Sequence, residues 1–321
     1  MTATAEPLAV LVDPTRRDSD KPTLSFRTGL LRTRVDRLAP GCYRWTREPG
    51  ALAPEPFQGS RSTTGLREVH PALCPAEPDG TARRYRTRGA TTAATLLLRR
   101  EDTASLGPVL GVVGQALTAL HATTVTPDPA SPSASPGPLS TGALAGAVPR
   151  GLRRYDRWVA GRAGTPAAAC ALDVAVREMG TKRWERLAAW RSDLAGEDVV
   201  LSHGAPGLGS VVLGADGEVD LLTGEDLCLA PRSFDTGWLL GELIELRLAL
   251  GGDGAAWNEL TAALTAGTGT GLSPAWHLAA AFRILLHLHD YTAYVAWEEP
   301  LIAHYARFVS FLLDLEPDLT R

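Results

Sequence analysis

The chain has 321 residues, long enough for two lobes that each bury a core. With 45% hydrophobic and 21% charged residues it is composed like an ordinary globular protein. Its formal net charge of −4 excludes the overall basic character of a nucleic-acid binder or a protein drawn to an anionic membrane surface.

Residues 1–20 read as a loose tail. The start "MTATAEPLAVLVDP" has no positive segment followed by an apolar run, so no signal peptide is expected. No apolar run reaches the roughly 18 residues of a membrane span, and a cytoplasmic location follows as the expectation. Residues 21–104 read as a small β-rich lobe. The runs "CYRWTREPG", "PFQGSRSTTGLREV", "TARRYRTRGA" and "TLLLRRE" are short and broken by turn residues, which points to strands.

Residues 105–321 read as a helical lobe. It opens with "SLGPVLGVVGQALTALHA", whose apolar residues recur at helical spacing. A Pro/Ser-rich insert at 126–142 has no periodicity and is read as a loop. From Leu152 to about Ala195 the chain is helical, with Trp158, Trp184 and Trp190 in or beside the core. "DVVLSHG" is a strand, and "SVVLGADGEVDLL" is a hairpin whose Gly217 supplies a positive φ. Four further helices follow, and Trp238, Trp276 and Trp297 on them are read as core.

The four cysteines, Cys42, Cys74, Cys170 and Cys228, are irregularly spaced and form no C-x-x-C, so neither zinc nor a disulfide framework is indicated. His287 and His289 in "HLHD" fall on different faces of a helix and are read as structural, as are the lone histidines His121 and His304. "GLGSV" around Ser210 lacks the second glycine of a hydrolase nucleophile elbow. The only lysines are Lys21, in the tail, and Lys182, in the helical lobe.

The order of parts from Ser105 to Leu243 resembles the aminoglycoside phosphotransferase family, which has a protein-kinase-like fold. "ALTALHA", "HGAPGLGS" from His203, "ADG" at 215–217, "LTGE" at 222–225 and "FDTGWLLGEL" from Phe234 align with that family's "LxxLHA", "HGDLHPGN", "DG", "IDWE" and "DLAWLL". The resemblance implies an α+β, two-lobed fold with a small β-rich N-lobe and a large helical C-lobe. It implies ATP and magnesium as cofactors where the site is intact.

Residue by residue, the family's catalytic base falls on Ala205, its metal-binding Asn on Ser210 and its main magnesium-binding Asp on Thr223. The structural Asp is kept as Asp235, and His203 and Gly204 keep the turn. Phosphoryl transfer depends on positioning and charge neutralisation, and magnesium wants carboxylate oxygens, so these losses weigh against ordinary chemistry. His203, Ser210 and Asp235 are the candidate cleft residues. Gly207 and Gly209 are candidates for a phosphate loop. No small-lobe lysine is available, and Arg86 or Arg88 are the candidates for phosphate pairing in its place. "EPGALAPEPFQGSRS" is the nearest candidate nucleotide loop. Glu225 and Asp226 could hold a cation or an amine, or else lie in solvent.

Three readings follow. Altered members of this fold look like the kinase-like subunits of class V lanthionine synthetases and related thioamide-peptide pathways of actinobacteria. That resemblance implies a precursor peptide and a separate lyase or cyclase as partners, with neither nucleic acid nor membrane. The second reading is a pseudokinase that binds a peptide or partner without catalysis. The third is a small-molecule phosphotransferase with a relocated metal site.

Overall fold

The computed structural model describes residues 24–57, 63, 65–100, 105–123, 148–162, 164–194, 199–269 and 271–315. The tail at 1–20 and the insert at 126–142 lie outside the described residues.

In chain order the first part gives β1 (Leu24–Arg27), β2 (Leu31–Ala39), β3 (Cys42–Pro49), the one-turn helix α1 (Leu66–Val69), β4 (Leu73–Pro75), β5 (Glu77–Asp79), β6 (Ala82–Thr87), β7 (Thr91–Thr92) and α2 (Ala93–Arg99). Five of the strands make an antiparallel sheet in the order β1-β2-β3-β6-β5. Alternation along each strand sends Val35, Trp45 and Tyr85, which are cross-strand partners, to the inner face. The residues between them face outward.

Two runs read as strands are helical. "STTGLREV" contains α1, and "TLLLRRE" runs through the second half of α2. Thr92 explains the second case. Its hydroxyl accepts a hydrogen bond from Thr95 N at 3.2 Å, an N-cap that starts a helix where a β-like leucine run follows. Arg100, at φ 57°, ends it. Leu97 is buried with the large-lobe core, so tertiary packing fixes what the local pattern left ambiguous.

The second part gives α3 (Leu106–His121), α4 (Arg150–Val159), α5 (Pro166–Met179), α6 (Thr181–Asp193), β8 (Val199–Ser202), β9 (Val211–Leu213), β10 (Val219–Thr223), β11 (Cys228–Pro231), α7 (Ser233–Leu250), α8 (Gly254–Thr268), α9 (Trp276–Tyr294) and α10 (Glu299–Asp314). α7 packs on α9 and α3 on α8. Trp158, Tyr155 and Phe282 centre one core, with the rings of Tyr155 and Phe282 4.8 Å apart. Of the tryptophans read as core, Trp238 is buried and Trp276 half-buried, but Trp297 is 41% exposed. It lies beyond the end of α9, in the connection to α10.

The two lobes are joined by a second sheet, β4-β10-β9-β7, in which β4 runs parallel to β10 and β7 pairs with β9. Asp220, fully buried on β10, clamps this junction. It accepts from Arg88 N at 2.8 Å and from the Arg88 guanidinium at 2.9 Å, and pairs with Arg67 at 2.8 Å. Among the described residues no helix is long and apolar enough to cross a membrane.

Candidate functional site: the cleft between the lobes

β8 delivers the chain into the turn at His203 and Gly204. Gly204 has φ +88°, and a Cβ there would lie 1.9 Å from the carbonyl oxygen of Asp226, so this close approach needs glycine. Asp235, in the first turn of α7, sits behind the turn and is 0% exposed. Its carboxylate accepts from His203 N at 2.7 Å and Gly204 N at 3.0 Å, and His121 Nε2 on α3 lies 2.9 Å from it. Burial pushes this carboxyl up, but the hydrogen bond from His121 and the neighbouring donors outweigh it, and its pKa stays below the usual value. Asp235 therefore holds backbone, as the sequence reading expected, and His121 is part of the same structural unit. His203 Nε2–H donates to Leu222 O at 2.9 Å, which ties the turn to β10.

In front of the turn lies a cavity of about 160 Å³. His203, Ala205, Ser210, Glu225 and Asp226 line it from the large lobe. Leu30, Leu31 and Arg47 line it from the small lobe, and Arg150 and Trp238 close it from α4 and α7. Ala205 offers no proton acceptor. Thr223 is fully buried and its hydroxyl donates to Leu221 O at 2.8 Å, away from any role in the cavity.

Glu225 and Asp226 are buried, so the solvated reading of these acids is corrected. Arginine is what holds both in place. Asp226 receives Arg150 Nε at 2.8 Å, Arg150 Nη2 at 2.7 Å and Arg150 N at 3.1 Å. Burial raises the Asp226 carboxyl, but Arg150 overcomes that and holds it below its ordinary value. Glu225 pairs with Arg47 at 3.0 Å and accepts from Tyr85 OH at 2.9 Å. Arg47 Nη1 also donates to Ser210 Oγ at 2.9 Å.

The rest of the segment after β3 seals the mouth. The Phe57 ring lies under the Arg150 guanidinium, 4.4 Å from centroid to Cζ, and Glu55 pairs with Arg153 and Arg157 of α4. The β1–β2 turn closes from above: a Cβ on Gly29 would be 3.4 Å from Tyr294 Cβ at the end of α9. So the described part of "EPGALAPEPFQGSRS" is pinned to α4.

The predicted site residues separate into two groups. His203, Ser210, Glu225 and Asp226 meet at the cavity. Arg88 is spent on Asp220, and Arg86 is exposed on the outer sheet face with its Nε donating to Cys42 Sγ at 3.3 Å. Gly207 backs onto Glu242, whose carboxylate accepts from Leu208 N at 2.9 Å, and a Cβ on Gly209 would meet open space. The cationic small-lobe residue at the cavity is Arg47. An inward-facing arginine two positions from Trp45 on the same strand was the signal for it. Arg150 had only a weaker one, the arginine-rich opening of its helix.

These residues do not fit magnesium and ATP in this arrangement. The lone pairs that would ligate a metal accept guanidinium N–H groups instead, and among the described residues no group of three or more His, Cys, Asp or Glu could hold an ion. The cavity of about 160 Å³ is also small against the roughly 300 Å³ at which ligand pockets begin. In the HLHD segment, His287 meets Glu245 of α7, while His289 bonds its neighbour Asp290 at 2.9 Å and its ring centroid lies 5.2 Å from that of Trp158 on α4.

No family model and no curated protein matches the chain. Solved structures do. The chain is similar to the aminoglycoside phosphotransferase APH(4)-Ia, with a TM-score of 0.50 at 13% identity over 90% of this chain and 93% of that one. A choline/ethanolamine kinase family protein from Mesorhizobium loti matches with a TM-score of 0.48 at 16% identity over 93% and 90%. At such identities the likeness is one of fold: an α+β, kinase-like architecture with a β-sheet N-terminal region and a mostly helical C-terminal one.

Proposed function

We propose that this chain is a kinase-fold subunit that works by binding, in a peptide-modifying system of the lanthipeptide type, and leaves phosphoryl transfer undone in the state described. The observation that carries this reading is the arginine-filled cleft. Ala205 can take no proton, and the two acids nearest the lost metal position are each held by a guanidinium from another element. A buried carboxylate with two or three charge-assisted bonds gives them up only to a competitor that replaces all of them. The precursor peptide and a separate lyase or cyclase are the partners this reading names, and the sequence resemblance is what supports them.

One observation favours a conditional form of the alternative. Arg47 comes from the small lobe, Arg150 from the large one, and both converge on Glu225. A nucleotide phosphate that drew both arginines away would free Glu225 and Asp226 together. Magnesium and ATP would then enter only after the lobes part.

The test is thermal melting with and without millimolar Mg-ATP. A ligand at about 100 times its Kd adds roughly 2.7 kcal/mol of stability, a shift of a few degrees. No shift is expected for the wild type. A magnesium-dependent shift that is lost in Glu225→Ala would overturn the binding-only reading in favour of the conditional kinase. Co-elution with a Ser/Thr/Cys-rich peptide or a lyase encoded beside this chain tests the partner assignment separately.

A further inference from the structure

Residues 50–57 form a strap that runs from the end of β3 across the front of the cleft to α4, and it is held unevenly. At one end its backbone is tied to the small lobe: Gly50 N donates to Leu30 O at 2.9 Å and Leu52 N to Gly29 O at 2.8 Å. A Cβ on Gly50 would lie 2.3 Å from Gly29 O, so this end is closely fitted. At the other end Phe57 is buried, with its ring centroid 4.4 Å from Arg150 Cζ and 5.6 Å from Arg83 Cζ. Residues 54–57 make no backbone–backbone hydrogen bond among the described residues, and Pro54 and Pro56 are exposed. Yet Ala53, Pro54 and Glu55 form part of the cavity wall.

The polar tie of that middle stretch is Glu55, whose carboxylate pairs with both Arg153 and Arg157. Those two arginines stand four apart on α4, where like charges repel across one helical turn. The large lobe answers the other two arginines of the helix with acids of its own, Asp226 for Arg150 and Asp290 for Arg154. Among the described residues it pairs no acid with Arg153 or Arg157, and the carboxylate between them comes from the strap. The arrangement is one-sided. The Glu55 side chain is 11% exposed, but those of Arg153 and Arg157 are 34% and 39% exposed, so dissolved ions reach the arginines without the strap moving.

We infer that residues 53–56 are a gate over the cleft: Glu55 latches it shut on Arg153 and Arg157, and a free anion that takes the place of the Glu55 carboxylate opens it. Three features fit a moving part. Between its ends the strap has no fully buried side chain, and so has little local stability of its own. Pro54 and Pro56 fix φ on both sides of Glu55, and a proline also restricts the residue before it, so the stretch moves as a stiff unit. The latch is partly solvated, so its hold is modest and weakens with salt. When the gate opens, the wall supplied by Ala53, Pro54 and Glu55 is withdrawn, while Arg47 stays on Glu225 and Arg150 on Asp226. The gate therefore acts apart from any release of those two acids, whichever ligand the cleft takes.

The test places a thiol in the cavity with Ala205→Cys and follows its alkylation by N-ethylmaleimide, site by site, by mass spectrometry. If that variant melts early, Leu31→Cys, half-buried on the small-lobe side of the cavity, takes its place. Two native thiols calibrate the measurement: Cys170 is exposed and reports the reagent, and Cys228 is buried and reports general loosening of the large lobe. Adding Glu55→Gln is expected to speed alkylation of the cavity thiol about tenfold, with Cys170 and Cys228 unchanged. Sodium phosphate is expected to speed it severalfold more than sodium chloride at equal ionic strength. Arg153→Gln with Arg157→Gln is expected to leave it fast and indifferent to phosphate. An unchanged rate in Glu55→Gln overturns the gate, as does a rise at Cys228 in step with the cavity thiol. Equal action of phosphate and chloride overturns the anion as its opener. No nucleotide or peptide enters this assay, so its failure and that of the Mg-ATP or co-elution tests are distinguishable.

Discussion

Behind the His203 turn and in front of it, the same chain has been treated in opposite ways. Behind it, Asp235 accepts from two backbone N–H groups and meets a histidine from another helix. In front of it, Ala205 offers no proton acceptor, and the acids at the cavity are tied up by Arg47 and Arg150. The difference separates two uses of a buried carboxylate. One carboxylate shapes the backbone, and its loss would cost the fold. The others take guanidinium groups that reach them from distant parts of the chain. Arg47 reaches Glu225 from the small lobe, so this pairing is also a contact between the lobes.

The largest way to break the comparison is on the structural side. Asp235→Ala strips two buried N–H donors and His121 of their acceptor at once. A loss of about 3–5 kcal/mol is expected, read as a lower urea midpoint with unchanged m-value. Asp235→Asn keeps one acceptor and should lose less. On the cleft side Arg150→Ala takes the guanidinium from the buried Asp226, and about 2–4 kcal/mol is expected, since the backbone N–H of residue 150 still donates to that carboxylate. This second variant also sharpens the contrast. It is the one change expected to open a magnesium-dependent thermal shift, because it releases Asp226 and one of the two cations near Glu225. An Arg150→Ala protein that is as stable as wild type would show that the cleft pair is ornamental.

A pH series tests both carboxylates together. Asp226 and Asp235 are each held below the ordinary carboxylate value in the folded protein, after burial is overcome by Arg150 in one case and by His121 and backbone donors in the other. The unfolded chain then binds more protons than the folded one as pH falls through about 4. Their stabilisation is complete above that pH and is lost as pH drops further, toward the folded-state values. Urea midpoints should fall steeply below about pH 4 in the wild type and more gently in Asp235→Asn.

The frame was legible in the sequence because it depends on local devices. Gly204, Gly217, the His203 turn and the spacing to Asp235 are each fixed by backbone geometry that few residues satisfy, and all stand where the resemblance put them. Cleft chemistry was half legible. That Ala205 and Thr223 carry no carboxylate could be read directly. What fills the cavity could not. Arg150 reaches Asp226 from 76 positions earlier and Arg47 reaches Glu225 from 178 earlier, and no local pattern marks such pairings. Arg86 and Arg88 were chosen for the phosphate role because they are close in sequence to a good strand. The pleat sends Arg86 outward, and Arg88 lies past the end of that strand, where Asp220 takes it. The helix α2 was misread for a related reason, since its cap at Thr92 and its buried Leu97 matter only once the other lobe is present.

The smallest expected effect probes how tightly the front of the turn is knit. Ser210 lines the cavity, and its hydroxyl accepts from Arg47 at 2.9 Å. If the cleft is a packed interface, Ser210→Ala removes one of several acceptors around Arg47. Arg47 keeps Glu225, so no charge is stranded and the cost should be about 0.5–1.5 kcal/mol. Arg47→Met, by comparison, leaves Glu225 with Tyr85 OH and the more distant Arg150, and should cost more. The two losses should not add in the double variant, because both act through the same guanidinium. Additive losses would mean that Ser210 holds the loop for another reason, and the arginine-filled cleft would lose its claim to be one cooperative unit.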